Sequence, residues 1–194
     1  MMAYSSISQG GFVLMPLAVA GMSEVSASAL RSVVVYMLVY AATNLGMFAV
    51  IIAVSRKTRS GEISSWGGLF SYAPGLATLA TIFLASLAGI PPLGGWIGKF
   101  TAFQSLLSSG TNWGYALALI GAVNSVVAFG YYGTIMREMW MKPVPDGDTT
   151  RVGVPGSLAL ALGITCVATL VLGVLPGVAT HFGDIARITG AFGG

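Results

Sequence analysis

The sequence predicts an all-α integral membrane protein with about five transmembrane crossings, one of them a broken helix. Three observations carry that expectation. The chain is 55% hydrophobic and only 8% charged, with a mean hydropathy of +0.84, against about 25% charged residues in soluble domains. Its apolar residues run in segments near 20 residues or longer, the length that crosses a hydrocarbon core of roughly 30 Å. The third of these segments is too long for one straight crossing and is interrupted by glycine and proline.

The apolar segments fall at about residues 5–22, 28–55, 72–109, 113–139 and 155–176, forming one transmembrane bundle over 1–176 followed by a weakly amphipathic interfacial tail over 177–194. Segment 5–22 is at the short end of a crossing. Every backbone N–H and C=O must find a partner inside hydrocarbon, so each segment is expected to be helical even where Val and Ile are frequent. Glu24 precedes the second span, where Ser26 or Ser28 is the expected cap. Segment 72–109 contains Gly89, Pro91, Pro92, Gly94 and Gly95, which make it either two spans or one broken helix. Arg137 and Glu138 end the fourth span, and Lys142 to Arg151 form a Pro- and Gly-containing loop with Asp146 and Asp148.

Loop charge separates those alternatives. With two spans in 72–109, Arg56, Lys57, Arg59 and Arg187 face Arg31, Arg137, Lys142 and Arg151 across the membrane, an even division. With one broken crossing, Arg56, Lys57, Arg59, Arg137, Lys142 and Arg151 share a side and only Arg31 and Arg187 lie opposite. The excess of Lys and Arg in cytoplasmic loops favours the second arrangement, with Met1 and both basic loops cytoplasmic. The net charge of +3 and pI near 9.2 therefore record topology and give no reason to expect a nucleic-acid partner.

Other chemistries find little support. Cys166 is the single cysteine, so no internal disulfide, Cys-ligated cluster or structural zinc site is expected; a small buried hydrophobe is its expected role. His181 has no metal-binding companion at a suitable spacing. No basic n-region precedes an apolar core at Met1, so no cleavable signal is expected.

Lys99 is the most informative residue. It is the only charged side chain between Glu62 and Arg137 and lies just after the interruption. An ammonium at membrane depth costs about 2.5–3.5 kcal/mol on insertion scales, so the residue is expected either to reach an interface as an anchor or to serve a function. Freed backbone at a helix break is tolerated only against protein or a water-filled cavity, and broken helices recur at ion sites. A lysine kept from bulk water in such a place can gain and lose a proton. Gly94 and Gly98 allow close approach of another helix, with Trp96, Phe100 and Phe103 as expected apolar bulk. Tyr40, Asn44, Ser86 and Asn124 are candidates for a polar path to Lys99; Thr43, Thr78, Thr81, Gln104, Ser105 and Ser125 are weaker ones. Tyr131 and Tyr132 fit an interfacial aromatic belt better than such a path.

Three stretches together resemble a known family: Met2-Ala-Tyr-Ser-Ser-Ile-Ser-Gln9, Tyr36-Met-Leu-Val-Tyr-Ala-Ala-Thr-Asn-Leu-Gly-Met-Phe-Ala-Val50 and Ser86-Leu-Ala-Gly-Ile-Pro-Pro-Leu-Gly-Gly-Trp-Ile-Gly-Lys-Phe100. They are similar to the antiporter-like membrane subunits of complex I, the proton-pumping NADH:quinone oxidoreductase. Tyr40-Ala-Ala-Thr-Asn44 lacks the histidine or lysine of the L- and M-type relatives and so resembles the N-type branch. The resemblance implies a fold of two inverted helical repeats, each with a broken helix, and maps the second repeat's lysine onto Lys99. The family's first-half and central lysines and their glutamate have no counterpart, so the chain is expected to be the C-terminal half of a longer subunit.

The function this resemblance implies is proton translocation, with Lys99 as relay, as a subunit of an oxidoreductase whose redox centres lie elsewhere. No cofactor is expected in this chain; NADH, FMN, Fe-S clusters and quinone are expected in other subunits. Other membrane-arm subunits and the lipid bilayer are the expected partners, and the bacterial plasma (inner) membrane the expected location. A component of a secondary cation/proton antiporter is the alternative.

Overall fold

The computed structural model describes residues 1–145 and 147–185; Asp146, Arg187 and residues 186–194 of the expected tail lie outside the described residues. Among the described residues the secondary structure is helical throughout, without strands. The helices are α1 (Met2–Leu14), α2 (Ser26–Thr58), α3 (Leu69–Tyr72), α4 (Pro74–Ala88), α5 (Gly94–Ser108), α6 (Asn112–Met141), α7 (Gly156–Val174) and α8 (Pro176–Ile185), with 3₁₀ turns at Met15–Val19 and Ile63–Trp66.

Local chemistry sets the boundaries. Pro16 lacks an N–H and its ring crowds the preceding turn, so the first segment, expected as one helix over 5–22, leaves α-geometry after Leu14 and continues as a 3₁₀ turn. The expected serine cap on the second span is not found. α2 begins at Ser26 behind Val25 without a side-chain cap, and Ser28 Oγ instead donates back to the Val25 carbonyl at 2.8 Å. α4 opens on Pro74, a position where the missing N–H costs nothing, and closes on Gly89 at φ +92°. There Ile90 N–H bonds Ala85 O and Gly89 N–H bonds Ser86 O, a Schellman closure that needs a left-handed residue and so favours glycine. Thr111 caps α6, its hydroxyl accepting from Gly114 N at 3.0 Å.

The third segment is one discontinuous crossing. α2 lies antiparallel to it, and its contacts advance steadily through both halves. Ser32 Oγ donates to Thr101 O at 2.8 Å, Tyr36 lies against Gly98, Val39 against Gly94, Thr43 bonds Ser86 at 3.1 Å, and Gly46 lies against Phe83. α6 makes the same journey on another side, with Gly121 beside Phe103 and Trp140 Nε1 donating to Thr81 Oγ1 at 2.9 Å. α4 and α5 therefore run in the same direction, offset at residues 89–93, which include a cis Pro91-Pro92 bond.

α2, α6 and α7 are each long and apolar enough to cross alone, and α4 is a shorter apolar helix that α5 continues beyond the break. α7 runs up against α2, with Thr169 at Thr43. At one end of the bundle lie Arg56, Lys57 and Arg59, ending α2, and Arg137, Lys142 and Arg151, around the α6–α7 loop. Lys57 joins them physically. Its ammonium donates to the carbonyls of Asp148, at 3.0 Å, and Thr150, and sits 3.9 Å from the Tyr72 ring centroid. Arg31 is at the opposite end, 3.3 Å from Asp184 of α8.

The largest apolar core occupies the basic half, where Met47, Val50, Val54, Leu69, Phe83 and Met139 interlock. Outward faces of α6 and α7 present Leu119, Val126, Leu160 and Val167, the surface a helix shows to lipid rather than to water.

Candidate functional site

Everything at the site follows from the offset between α4 and α5. A residue with a Cβ at position 95 would place it 1.7 Å from Ser86 O, and one at position 173 would place it 2.1 Å from Pro92 O. Glycine at both positions thus lets the first turn of α5 overlap the last turn of α4 and lets α7 close over the break. Gly94 is pressed against Val39 and Thr169 O, and Gly98 against Tyr36, so the small-residue pair does admit neighbouring helices.

The overlap brings Lys99, in the second turn of α5, back to the end of α4. Lys99 is 4% exposed. Its Nζ donates to Ala88 O at 2.9 Å, a carbonyl at the C-terminal end of a helix, where the backbone dipole favours a cation. The Phe12 ring lies beneath it, 4.8 Å from Nζ to centroid, within reach of a cation–π interaction. Among the described residues no carboxylate pairs with it. The interfacial-anchor alternative for Lys99 is excluded by this burial.

Two polar groupings lie at the break, each including residues at the end of α4. In the first, Ser86 Oγ accepts from Gly95 N at 3.0 Å and shares a hydrogen bond with Thr43, which also lies 3.4 Å from Thr169 Oγ1. The second centres on Gln9, 2% exposed. Gln9 Nε2 donates to Leu87 O and to the Tyr132 hydroxyl, both at 3.1 Å, while Oε1 accepts from Tyr36 OH at 2.5 Å. The Tyr132 hydroxyl also bonds Ser5 Oγ. Between the groupings is a void of about 10 Å³ bordered by Gln9, Tyr36, Tyr40, Thr43 and Ser86, at the lower limit for one water molecule.

The sequence candidates divide accordingly. Ser86 is at the break, and Tyr40 borders the void with no hydrogen bond of its own among the described residues. Asn124 is one helix away, donating to Ser8 Oγ at 2.9 Å. Asn44 joins neither grouping, since it lies one residue, about 100° of helix, beyond the inward-facing Thr43. Tyr132 corrects the aromatic-belt expectation: it is fully buried and hydrogen-bonded to Gln9, because helix phase turns it inward onto Ser5 and Gln9 of α1 while its neighbour Tyr131 stays half-buried. Trp96 and Phe100 are 39% and 49% exposed and pair with each other at 5.6 Å. The bulk around the ammonium is Phe12, stacked on Tyr36 and edge-on to Phe103. Gln9, Phe12 and Ser5 were not singled out by sequence, although their spacing of four and three residues marks one buried face of α1. Among the described residues no cluster of potential metal ligands occurs, and His181 is exposed.

Comparison with known proteins agrees with this architecture. Residues 1–126 match the model of the family described as NADH:quinone oxidoreductase/Mrp antiporter, TM. NADH-quinone oxidoreductase subunit N of Heliobacterium modesticaldum is 36% identical over 186 residues, 96% of this chain and 37% of the relative. Subunit N 1 of Koribacter versatilis is 38% identical over 177 residues, covering 91% and 34%. The chain thus spans about a third of the length of these curated relatives. Among solved structures, a chain of respiratory complex I from Thermus thermophilus with bound NADH superposes with a TM-score of 0.65 at 21% identity, covering 93% of this chain and 44% of that one. A chain of the archaeal membrane-bound sulfane sulfur reductase gives 0.66 at 19% identity, covering 92% and 40%; at these identities the shared property is the fold. The broken crossing with its lysine and the matched sequence over most of the chain lead to one conclusion: this protein belongs to the NADH:quinone oxidoreductase/Mrp antiporter family of transmembrane subunits.

Proposed function

We propose that the chain is a proton-translocating part of the membrane arm of an NADH:quinone oxidoreductase, with Lys99 as the group that takes up and releases the proton. One observation carries the reading: an ammonium withdrawn from solvent is held by one helix-terminal carbonyl and the Phe12 ring at the break, with no carboxylate among the described residues to lock its charge. Such a group can change protonation when the surrounding electrostatics change. Redox chemistry in other subunits, which would hold NADH, FMN, Fe-S clusters and quinone, would supply that change and shift the balance between loaded and unloaded states. Tyr40, Asn44, Ser86 and Asn124 are the proposed polar surroundings, with Ser86 the nearest to the break.

The proposed setting is a bacterial plasma (inner) membrane, basic end cytoplasmic, among other membrane-arm subunits and lipid and without nucleic acid. A second reading, a component of a cation/proton antiporter, is favoured by the family description itself, which spans both systems. Proton uptake into vesicles carrying the native complex separates them. Uptake driven by NADH and lost in Lys99→Ala supports the first reading. Uptake driven by an imposed cation gradient without NADH, and lost in the same variant, supports the second.

A further inference from the structure

The Gln9 grouping joins the hydroxyls around the void at the break to a second set, Tyr132 and Ser5, that the proposed relay does not use. On one side Tyr36 OH faces the void beside Thr43 and Ser86. On the other, Tyr132 leads to Ser5 in the first turn of α1, whose Met2 packs into the core of the basic half. The bonds at the amide have a fixed polarity. Tyr36 donates to Gln9 Oε1 and Gln9 Nε2 donates to the Tyr132 oxygen, while Tyr132 and Ser5 share a hydrogen bond in which either hydroxyl can donate.

A hydroxyl accepts and donates through the same oxygen, so hydroxyls and water in sequence pass protons by hopping. A carboxamide accepts at oxygen and donates at nitrogen. A proton reaching Oε1 cannot leave from Nε2 unless the amide becomes its imidic acid tautomer, which sacrifices amide resonance. Gln9 is the carboxamide among the hydrogen-bonded side chains Tyr36, Gln9, Tyr132 and Ser5. Its second N–H bond, to Leu87 O, fixes the amide to the residue before the lysine's own acceptor, Ala88.

We propose that Gln9 is a proton barrier, a carboxamide set between Tyr36 and Tyr132 so that protons handled beside Lys99 do not hop along Tyr132 and Ser5 to the basic face. The inference rests on the reading that this site handles protons. It assigns Gln9 a positioning and insulating role rather than a catalytic one.

The test is passive proton leak, without NADH, in liposomes carrying the assembled complex, with trapped pyranine reporting an imposed pH step. Gln9→Glu replaces the amide by a carboxyl, which can accept and release a proton, and is expected to speed the leak several-fold. Gln9→Leu, of similar bulk but unable to carry a proton, is expected to match the native rate. Adding Tyr132→Phe to Gln9→Glu is expected to restore the native rate, because phenylalanine offers no oxygen to continue the path. Gln9→His supplies a second proton-carrying group should the glutamate complex fail to assemble. A native leak rate in both the Glu and His variants overturns the barrier, as does equal leak in Gln9→Leu or a leak that survives Tyr132→Phe. NADH-driven uptake in Lys99→Ala, measured separately, decides the lysine reading, so either can fail while the other stands.

Discussion

Lys99 reaches back across the helix break to Ala88, its Nζ 2.9 Å from the carbonyl oxygen. The bond exists because α5 starts alongside the final turn of α4, and that overlap depends on atoms absent from Gly95 and Gly173. Gly95→Ala would drive a methyl into the Ser86 carbonyl, and Gly173→Ala into that of Pro92. Backbone cannot rotate aside as a side chain can. Each substitution is expected to cost at least the roughly 1–3 kcal/mol typical of overpacking, read as a lowered midpoint in thermal unfolding of the detergent-solubilised protein. Gly163→Ala, with open space at its Cβ, is the control and should leave the midpoint unchanged or slightly raised.

Gly46 and Phe83 offer a case where the obstacle can be removed. A Cβ at Gly46 would lie 2.3 Å from the Phe83 ring. Gly46→Ala should therefore destabilise, Phe83→Leu should destabilise by leaving a gap, and the double variant should lose less than the sum. A double-mutant cycle by thermal or denaturant unfolding measures this coupling, expected at roughly 0.5–3 kcal/mol for side chains in contact; strict additivity would contradict the packing described.

Ser86 is expected to matter more than Thr43, although they share a hydrogen bond. Ser86→Ala removes the acceptor of Gly95 N–H and leaves a backbone donor unsatisfied at the break, a loss of about 1–3 kcal/mol. Thr43→Val removes an interhelical bond while Ser86 keeps Gly95, a loss near the average of about 0.6 kcal/mol for such bonds. Amide hydrogen exchange across residues 89–96 provides the check: faster exchange in Ser86→Ala and nearly native exchange in Thr43→Val.

At the basic end the Asp148 carboxyl is held below its ordinary range, first by the Thr150 amide at 2.9 Å and further by Lys57. A carboxyl depressed in the folded state stabilises above its unfolded value, and the contribution disappears as pH falls through the folded one. The tether of the α6–α7 loop to α2 should thus hold at neutral pH and loosen only below about pH 4, the ordinary aspartate range. Limited proteolysis within residues 142–155 should accelerate in that acidic window. Asp148→Asn should be cleaved faster already at neutral pH and should flatten the profile.

Much of this arrangement was legible because membranes leave few alternatives. A lone charge in a long apolar stretch identified Lys99, and loop arginines and lysines distinguished one broken crossing from two before the advancing contacts of α2 and α6 established it. Contacts between distant segments were not legible in the same way. Gln9 lies in a short polar-looking run where Ser5, Ser6 and Ser8 hide the buried face, and only packing against Leu87, Tyr36 and Tyr132 reveals its place. Asn44 was the more conspicuous polar residue, yet helix phase turns Thr43, its neighbour, toward Ser86. Tyr132 lies near the end of a span in sequence, and only its contacts with Ser5 and Gln9 of α1 show that it faces inward.

The most direct test is the number of protons taken up per NADH oxidised by vesicles carrying the complex with Lys99→Met, a substitution that keeps the side chain's length and removes its charge. The proposed relay predicts a clear drop in that ratio relative to the native complex, with the variant assembled to native levels. A native ratio would contradict it.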